Sequence, residues 1–322
     1  MAIYTKLNKK DLNEFLFKYN LGKLLNFKGI QEGIENTNYF IQTEKGKFIL
    51  TIYEKRVEEK DLPFFMGLMR NLYDAEFPSP EPIINKNGNY ITEILGKKAA
   101  LVSFLEGSSK KNLSPNDCQK VGIKTAKLHL ITKQLTGKRE NKLSVKSWRD
   151  IYIKVQEDCS KIQPNLSKIV EESLSEIENG WPKNIPSGII HADLFPDNIF
   201  FKNNKLSGII DFYFSCYDFY MFEIAICINA LCFEGIKENL SFNVTKAKKF
   251  IDGYSSIRKL EVVEKKALKI LCQGAAMRFL LTRVFDYLNL TKGALVKIKD
   301  PVEYLKRLEF HNNAKDYEDY FF

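Results

Sequence analysis

Histidine is scarce in this chain, with three in 322 residues, and no two of the six cysteines form a C-x-x-C pair. Neither of the common zinc-ligand spacings can be assembled from such a set. Cys118, Cys159, Cys216, Cys227, Cys232 and Cys272 therefore read as buried reduced thiols. The sequence also lacks an apolar run approaching the ~20 residues that a membrane-spanning helix needs. The longest candidate, near Ile224–Phe233, is short and has Glu223 beside it. The opening MAIYTKLNKKDLNEF has neither an apolar h-region nor a small-residue cleavage site. No secretory signal and no membrane partner are expected, and the cytoplasm is the expected location. Low-complexity tracts and fixed-period repeats are missing too, which sets aside extensive disorder and solenoids.

What is present suits a protein of two lobes. A chain of 322 residues exceeds one small core, and 44% hydrophobic with 28% charged residues is ordinary for a globular protein. The formal net charge is +9. The lysines are scattered (Lys6, Lys9, Lys10, Lys55, Lys60, Lys97, Lys98, Lys110, Lys111, Lys246, Lys248, Lys249) and do not line one helix with interleaved aromatics. Such a surface favours small anionic ligands over nucleic acid, so no nucleic-acid partner is expected; a nucleic-acid binder would betray itself by strongly salt-dependent binding.

The first hundred residues are β-rich. Strands are expected over 25–30, 38–43 and 47–53, with a turn at Glu44-Lys45-Gly46. Asp61 suits a helix cap and Pro63 a first turn; Phe65, Leu68, Met69 and Leu72 then give one apolar face. Further strands are expected over 90–94 and 99–104, after which Leu105-Glu106-Gly107 reads as a linker. The chain then turns helical. Ser114-Pro115-Asn116-Asp117 opens a helix, and helical patterns also fit 147–161, 166–177, 219–233, 245–254 and 262–290. A β island interrupts them: Gly188-Ile189-Ile190, then a hairpin over 198–201 and 206–210 that ends at Asp211. The expected fold class is α+β, with a small β-rich N-terminal lobe (1–104) and a larger helical C-terminal lobe (105–322) and a ligand cleft between them.

The β island carries the chemistry. His191, Asp193 and Asn198 stand as H-x-D-x-x-x-x-N, and Asp211 follows in Ile209-Ile210-Asp211-Phe212. Phosphoryl transfer needs an acceptor hydroxyl in line with the γ-phosphate and Mg²⁺ to neutralise the phosphate oxygens. Asp193 can orient the hydroxyl and take its proton, with His191 beside it as the second catalytic position. Asn198 and Asp211 can present a neutral oxygen and a carboxylate to the metal. His129 and His311 read as structural, and Asp197 as a turn former.

This arrangement resembles the kinase catalytic loop and metal turn, with Tyr213 where D-F-G has glycine. It is identified with the aminoglycoside phosphotransferase-like kinases, relatives of choline kinase with a protein-kinase-like fold. In that family an acidic helix follows the metal Asp; Phe222-Glu223-Ile224-Ala225 is similar, with Glu for Asp, and Glu223 can accept hydrogen bonds from the catalytic loop. Gly33–Phe40, Phe48–Arg56, Asp61–Phe65 and Met277-Arg278-Phe279 with Arg283 resemble the homoserine kinase branch, and the likeness runs from about Tyr4 to Glu309.

The resemblance implies ATP and Mg²⁺ as cofactors and L-homoserine as acceptor, giving O-phospho-L-homoserine on the route to threonine, by a monomer or homodimer. It places Gly33, Asn36, Thr37 and Asn38 in a nucleotide loop, Thr51 at the strand position where kinases carry lysine, and Phe104 and Glu106 at the adenine. The homoserine kinase branch is similar in having threonine there; Lys47 and Lys55 are better suited to the surface. A carboxylate acceptor wants an arginine. Arg278 is assigned to it, because Arg283 can pair with Asp286. Tyr213, Tyr217 and Asp218 are expected to line the acceptor pocket. Another small-alcohol kinase (choline, amino-sugar or aminoglycoside) and a nucleotide-binding pseudokinase remain open alternatives.

Overall fold

Alternating apolar residues build the first sheet. In the computed structural model, which describes residues 4–31, 36–54, 57–135, 137–235, 239–289 and 299–321, β1 (Leu24–Ile30), β2 (Thr37–Thr43), β3 (Gly46–Ile52), β4 (Ile91–Ile94) and β5 (Lys97–Ser103) form an antiparallel sheet in the order β1-β2-β3-β5-β4. Tyr39 and Ile41 of β2 with Phe48, Leu50 and Ile52 of β3 bury one face. Helix α1 (Lys9–Leu16) joins that cluster with Leu12, Phe15 and Leu16. Side chains alternate across a strand, so Asn38 and its register partner Thr51 stand on the opposite face.

Helix α2 (Leu62–Asp74) buries Phe65, Leu68, Met69 and Leu72, the face expected from their spacing. Its start differs from expectation. Asp61 ends a 3₁₀ turn, Glu59–Asp61, in helical backbone conformation and makes no side-chain cap. The orphan N–H groups of α2 are thus met by a continuing turn rather than a carboxylate.

The chain divides into two units. One runs through Ser108 and also takes in Phe200–Tyr213; the described residues of Ser109–Ile199 and those from Phe214 onward make up the second. The hairpin of β8 (Ile199–Lys202) and β9 (Lys205–Ile209) therefore belongs largely with the first unit, not with the helical lobe assigned from sequence. Its packing explains why. Ile209 N–H donates to the Pro78 carbonyl at 2.8 Å, and a Cβ on Gly107 would stand 2.4 Å from Ser207 Oγ and 2.9 Å from the Phe201 carbonyl. Gly107 has φ +130°, so glycine is required at that linker position twice over.

In the second unit, α3 (Pro115–Thr132) starts as expected: Ser114 Oγ accepts from Asp117 N–H at 3.2 Å and Asp117 returns the bond. It crosses α7 (Val244–Ser255) through two glycines, since a Cβ on Gly122 would lie 2.1 Å from the Phe250 carbonyl and one on Gly253 2.2 Å from that of Gln119. Around this pair lie α4 (Val145–Ile153), α5 (Leu166–Gly180), α6 (Tyr220–Leu231), the 27-residue α8 (Val262–Leu288) and α9 (Val302–Asn313). The helix expected over 147–161 ends at Ile153 and gives way to a 3₁₀ segment, Gln156–Lys161. Strand β7 (Ser187–Ile190) pairs antiparallel with β10 (Cys216–Phe219), which delivers the chain into α6. Helix α6 is apolar all round and almost wholly buried, as a central helix should be. Strand β10, α1 and α9 lie outside the sequence expectations.

Candidate active site

Strand β7 ends at Ile190, His191 follows, and the residue after it is strained. Ala192 has φ +65°, a left-handed conformation that costs a non-glycine residue on the order of 1–3 kcal/mol. Two buried side chains hold it there. Glu223, one turn into α6, accepts from the His191 N–H and from the Ala192 N–H, the latter at 3.1 and 3.2 Å. From α8, Arg278 Nη1 donates to the Ala192 carbonyl at 2.7 Å. Burial pushes the Glu223 carboxyl up to about 7, against the lowering pull of the Ala192 and His191 N–H groups and of Arg278.

The strained turn joins His191 to the residues expected to react. Asp193 N–H donates to His191 Nδ1 at 3.2 Å, so that nitrogen is the acceptor and the ring proton sits on Nε2. Asn198 Nδ2 donates to the Asp193 carbonyl at 2.9 Å and to its carboxylate at 3.3 Å. Those bonds fix the amide, leaving Oδ1 as the atom that can face a cation. In this unit, then, His191, Asp193 and Asn198 form one hydrogen-bonded loop with Asp193 half-buried.

In the first unit, Asp211 follows β9, is exposed, and has φ +66°. Two residues on, Tyr213 takes a hydrogen bond from the Tyr53 hydroxyl at 3.2 Å, with the two rings edge-on at 5.3 Å. On β3, Thr51 Oγ1 donates to Asn38 Oδ1 at 2.8 Å. The Tyr53 proton thus points to Tyr213, and the Thr51 proton to Asn38. Burial raises both tyrosines, keeping these hydroxyls protonated. Tyr213 was expected beside the acceptor; its hydroxyl instead ties the Asp211 turn to β3.

The remaining nucleotide candidates separate. Gly33 and Lys55 lie outside the described residues. Thr37 is a correction: its hydroxyl donates to Glu54 at 2.8 Å and accepts from Tyr4 and Thr5 N–H at 3.0 and 3.2 Å, so it secures the start of the chain rather than a ligand. Asn36 Oδ1 accepts from Glu54 N–H at 3.4 Å. Phe104 gives its N–H to the Lys47 carbonyl at 3.0 Å, which leaves its carbonyl as the backbone group able to meet an adenine amino group. Glu106 pairs with Lys202 through its side chain, and Lys47 is exposed.

Arg278 is the second correction. It is 2% exposed, its Nη1 is committed to Ala192, and Phe279 lies 4.7 Å from its guanidinium. It braces the catalytic loop rather than standing open to a substrate carboxylate. Arg283 reaches Glu303 at 3.0 Å and the Asp300 carbonyl at 2.9 Å. Asp218 accepts from Asn141 Nδ2 and Phe219 N–H, each at 2.7 Å, and burial raises its carboxyl. The Tyr217 hydroxyl accepts from Ser187 Oγ at 3.0 Å, and Lys138 sits 4.2 Å over its ring.

Magnesium takes hard oxygen donors and keeps several waters, so one carboxylate and one amide oxygen, completed by nucleotide phosphates, make a donor set it accepts. Asn198 Oδ1 in the second unit and the Asp211 carboxylate in the first are oxygens of those two types. Among the described residues no group of three or more His, Cys, Asp or Glu could hold a metal without such help.

The profile of the phosphotransferase enzyme family matches residues 26–252. The chain belongs to that family. It is 45% identical to a homoserine kinase of Xanthobacter autotrophicus over 99% of both chains, and 47% identical to one of Beijerinckia indica over 98% of this chain and 97% of the other. Its fold is that of an amicoumacin kinase solved with AMP-PNP, Ca²⁺ and Ami (TM-score 0.72, 15% identity, 97% and 96% of the chains covered) and of a Cryptosporidium parvum choline kinase (TM-score 0.66, 16% identity, 95% and 94%). The α+β, protein-kinase-like fold expected from the motifs is thereby shown.

For a phosphotransferase of this family, two local features matter. The Glu223 side chain reaches the catalytic-loop backbone from α6, as the acid in that helix was expected to do. Asn141 and Tyr53 escaped the sequence reading. Asn141 lies in an irregular stretch with no periodicity to mark it. Tyr53 did carry a signal, since it stands two residues after Thr51 in the same strand run and so on the same face.

Proposed function

We propose that this phosphotransferase moves the γ-phosphoryl group of ATP to the side-chain hydroxyl of L-homoserine, giving O-phospho-L-homoserine and ADP, the step that serves threonine formation. The observation that carries the reading is identity of about 45% along the full length to homoserine kinases, together with an intact Asp193, Asn198 and Asp211. Asp193 orients the acceptor hydroxyl and takes its proton; the Glu223–Arg278 brace holds the Ala192 peptide so that Asp193 meets the hydroxyl without reorganisation. Asn198 and Asp211 hold Mg²⁺, which when bound neutralises charge on the phosphate oxygens. Asp218, oriented by Asn141 and close enough to Arg278 to feel its charge, is the side chain we assign to the acceptor's ammonium group.

ADP release with Mg-ATP and a panel of homoserine, choline, methylthioribose and kanamycin tests the acceptor. Release with homoserine alone is expected; equal release with choline or kanamycin would remove the acceptor assignment. Asp193→Asn is expected to lower kcat by about 10²–10⁴-fold while ATP still binds, as for loss of a general base. Near-normal turnover in that variant would take the base role from Asp193.

A further inference from the structure

The first unit contains a second concave surface, remote from the residues assigned to phosphoryl transfer. A cavity of about 560 Å³ opens between α1, the start of β1 and the β2–β3 turn, with Leu16 on its apolar floor. Four lysines line it: Lys9, Lys23, Lys45 and Lys86. No carboxylate lines it, and none of the four has an acidic partner among the described residues, whereas Lys60, Lys97 and Lys98 of the same unit each pair with an acid. One acid borders the cavity, Glu44, whose carboxylate accepts from the Lys23 backbone N–H at 3.0 Å and would stand 2.7 Å from a Cβ on Gly22; one carboxylate against four ammonium groups leaves the net charge positive. Phe17 is 78% exposed at the rim, with the Lys86 ammonium 4.4 Å from its ring centre. Lys9 occupies the first turn of α1, where the helix dipole disfavours a cation by about 0.3–1 kcal/mol.

The place of the cavity in the sheet separates it from the nucleotide loop. Strands β1 and β2 pair from Leu24↔Thr43 at the cavity end to Ile30↔Asn38 at the end next to Asn36. Seven residues at roughly 3.3 Å each put about 20 Å between the two ends.

We infer that this cavity is a second ligand site, which takes a compact, multiply charged anion of the phosphate class. Lysine ammonium groups are strongly hydrated point charges that bind phosphate without the planar fork of arginine, and four of them suit a ligand with two or more negative charges. Inorganic pyrophosphate and a phosphorylated sugar share that chemistry.

Calorimetric titration of the full chain with pyrophosphate in metal-free buffer tests it, against the variant Lys23→Gln/Lys86→Gln. Neither lysine belongs to the catalytic residues, so kcat and the ATP KM of the variant should stay within about twofold of the parent, while pyrophosphate affinity falls by about tenfold or more. No binding up to millimolar pyrophosphate would overturn the inference. So would unchanged affinity in the variant, or a parallel loss of ATP affinity, which would assign the signal to the nucleotide site. Glucose 6-phosphate in a second arm separates the sources: competition with pyrophosphate identifies an organic phosphate ligand, and its absence an inorganic one, either with the site intact. The inference does not depend on the acceptor. Failure to turn over homoserine would sink that assignment and leave this one standing.

Discussion

The Tyr213 hydroxyl accepts the hydrogen bond of the buried Tyr53 hydroxyl. Removing it leaves the Tyr53 donor short in a buried setting, at a cost of about 1–3 kcal/mol. Tyr213→Phe keeps the ring against Phe65 at 5.6 Å, so the loss is confined to the hydroxyl. The Asp211 turn would then lose its tie to β3. The expected outcome is a kcat lowered by about tenfold with a raised Mg²⁺ requirement, while the KM for the acceptor holds, since about 1.4 kcal/mol is tenfold. A fall in acceptor affinity alone would return Tyr213 to the acceptor pocket. The contrast between Tyr213 and Asp211 explains what was legible at this scale. Asp193, Asn198 and Asp211, to which we assign the base and the metal, stand out in sequence because that chemistry fixes both residue type and spacing. The side chains of Thr37, Tyr213 and Arg278 cannot, because their contacts are set by Glu54, Tyr53 and Ala192, partners distant in the chain.

Elements with a strong period were legible, and those defined by a partner were not. The apolar face of α2 and the capping box of α3 follow from local spacing. Helix α1 has only eight residues, and α9 and the tail beyond it carry a pattern that gains meaning only in the core. There, buried His311 of α9 lies between Tyr320 OH at 3.0 Å and Asn229 Oδ1 at 3.1 Å. The α3–α7 crossing likewise depends on glycines that a sequence reading counts as helix weakeners. At Gly122 a methyl group would collide with the Phe250 carbonyl, so Gly122→Ala should destabilise the protein by about 1–3 kcal/mol or more, as overpacked cores do. Gly67 in α2 meets nothing within 4 Å, so Gly67→Ala should stabilise by about 0.4–1 kcal/mol. Urea unfolding of the two variants reads the opposite signs; destabilisation by both would mean that helix propensity and contact geometry have been misjudged here.

For the molecule as a whole, buried titratable groups set the response to acid. His311 is held down to about 3 and His129 well below its usual value, both chiefly by burial. Asn229 Nδ2 already donates to the Ala225 and Cys272 carbonyls, so its Oδ1 takes the His311 Nε2 proton and the ring stays neutral. As pH falls below 6.5 the unfolded chain protonates these imidazoles and the folded one does not, so stability is lost on acidification. Glu223 acts the other way. Its folded value of about 7 lies above the unfolded 4.5, so its contribution is full below 4.5 and is lost as pH rises towards 7. Asp218, whose carboxyl burial also raises, acts in the same sense as Glu223. Between pH 5 and 6.5 each histidine costs up to about 1.4 kcal/mol per pH unit on acidification, and each raised carboxyl offsets part of that loss. Replacing Glu223 by its neutral isostere in Glu223→Gln should steepen the slope by up to about 1.4 kcal/mol per pH unit, because the opposing proton is gone. His311→Gln should flatten it. Unfolding by urea at four pH values across that range compares the three proteins, and carboxylates that titrate lower, such as Glu54 and Asp117, cancel among them. A Glu223→Gln slope no steeper than that of the parent would mean that Arg278 and the two loop N–H groups keep Glu223 ionised throughout, and that the catalytic loop is braced by a full charge at every pH at which the enzyme works.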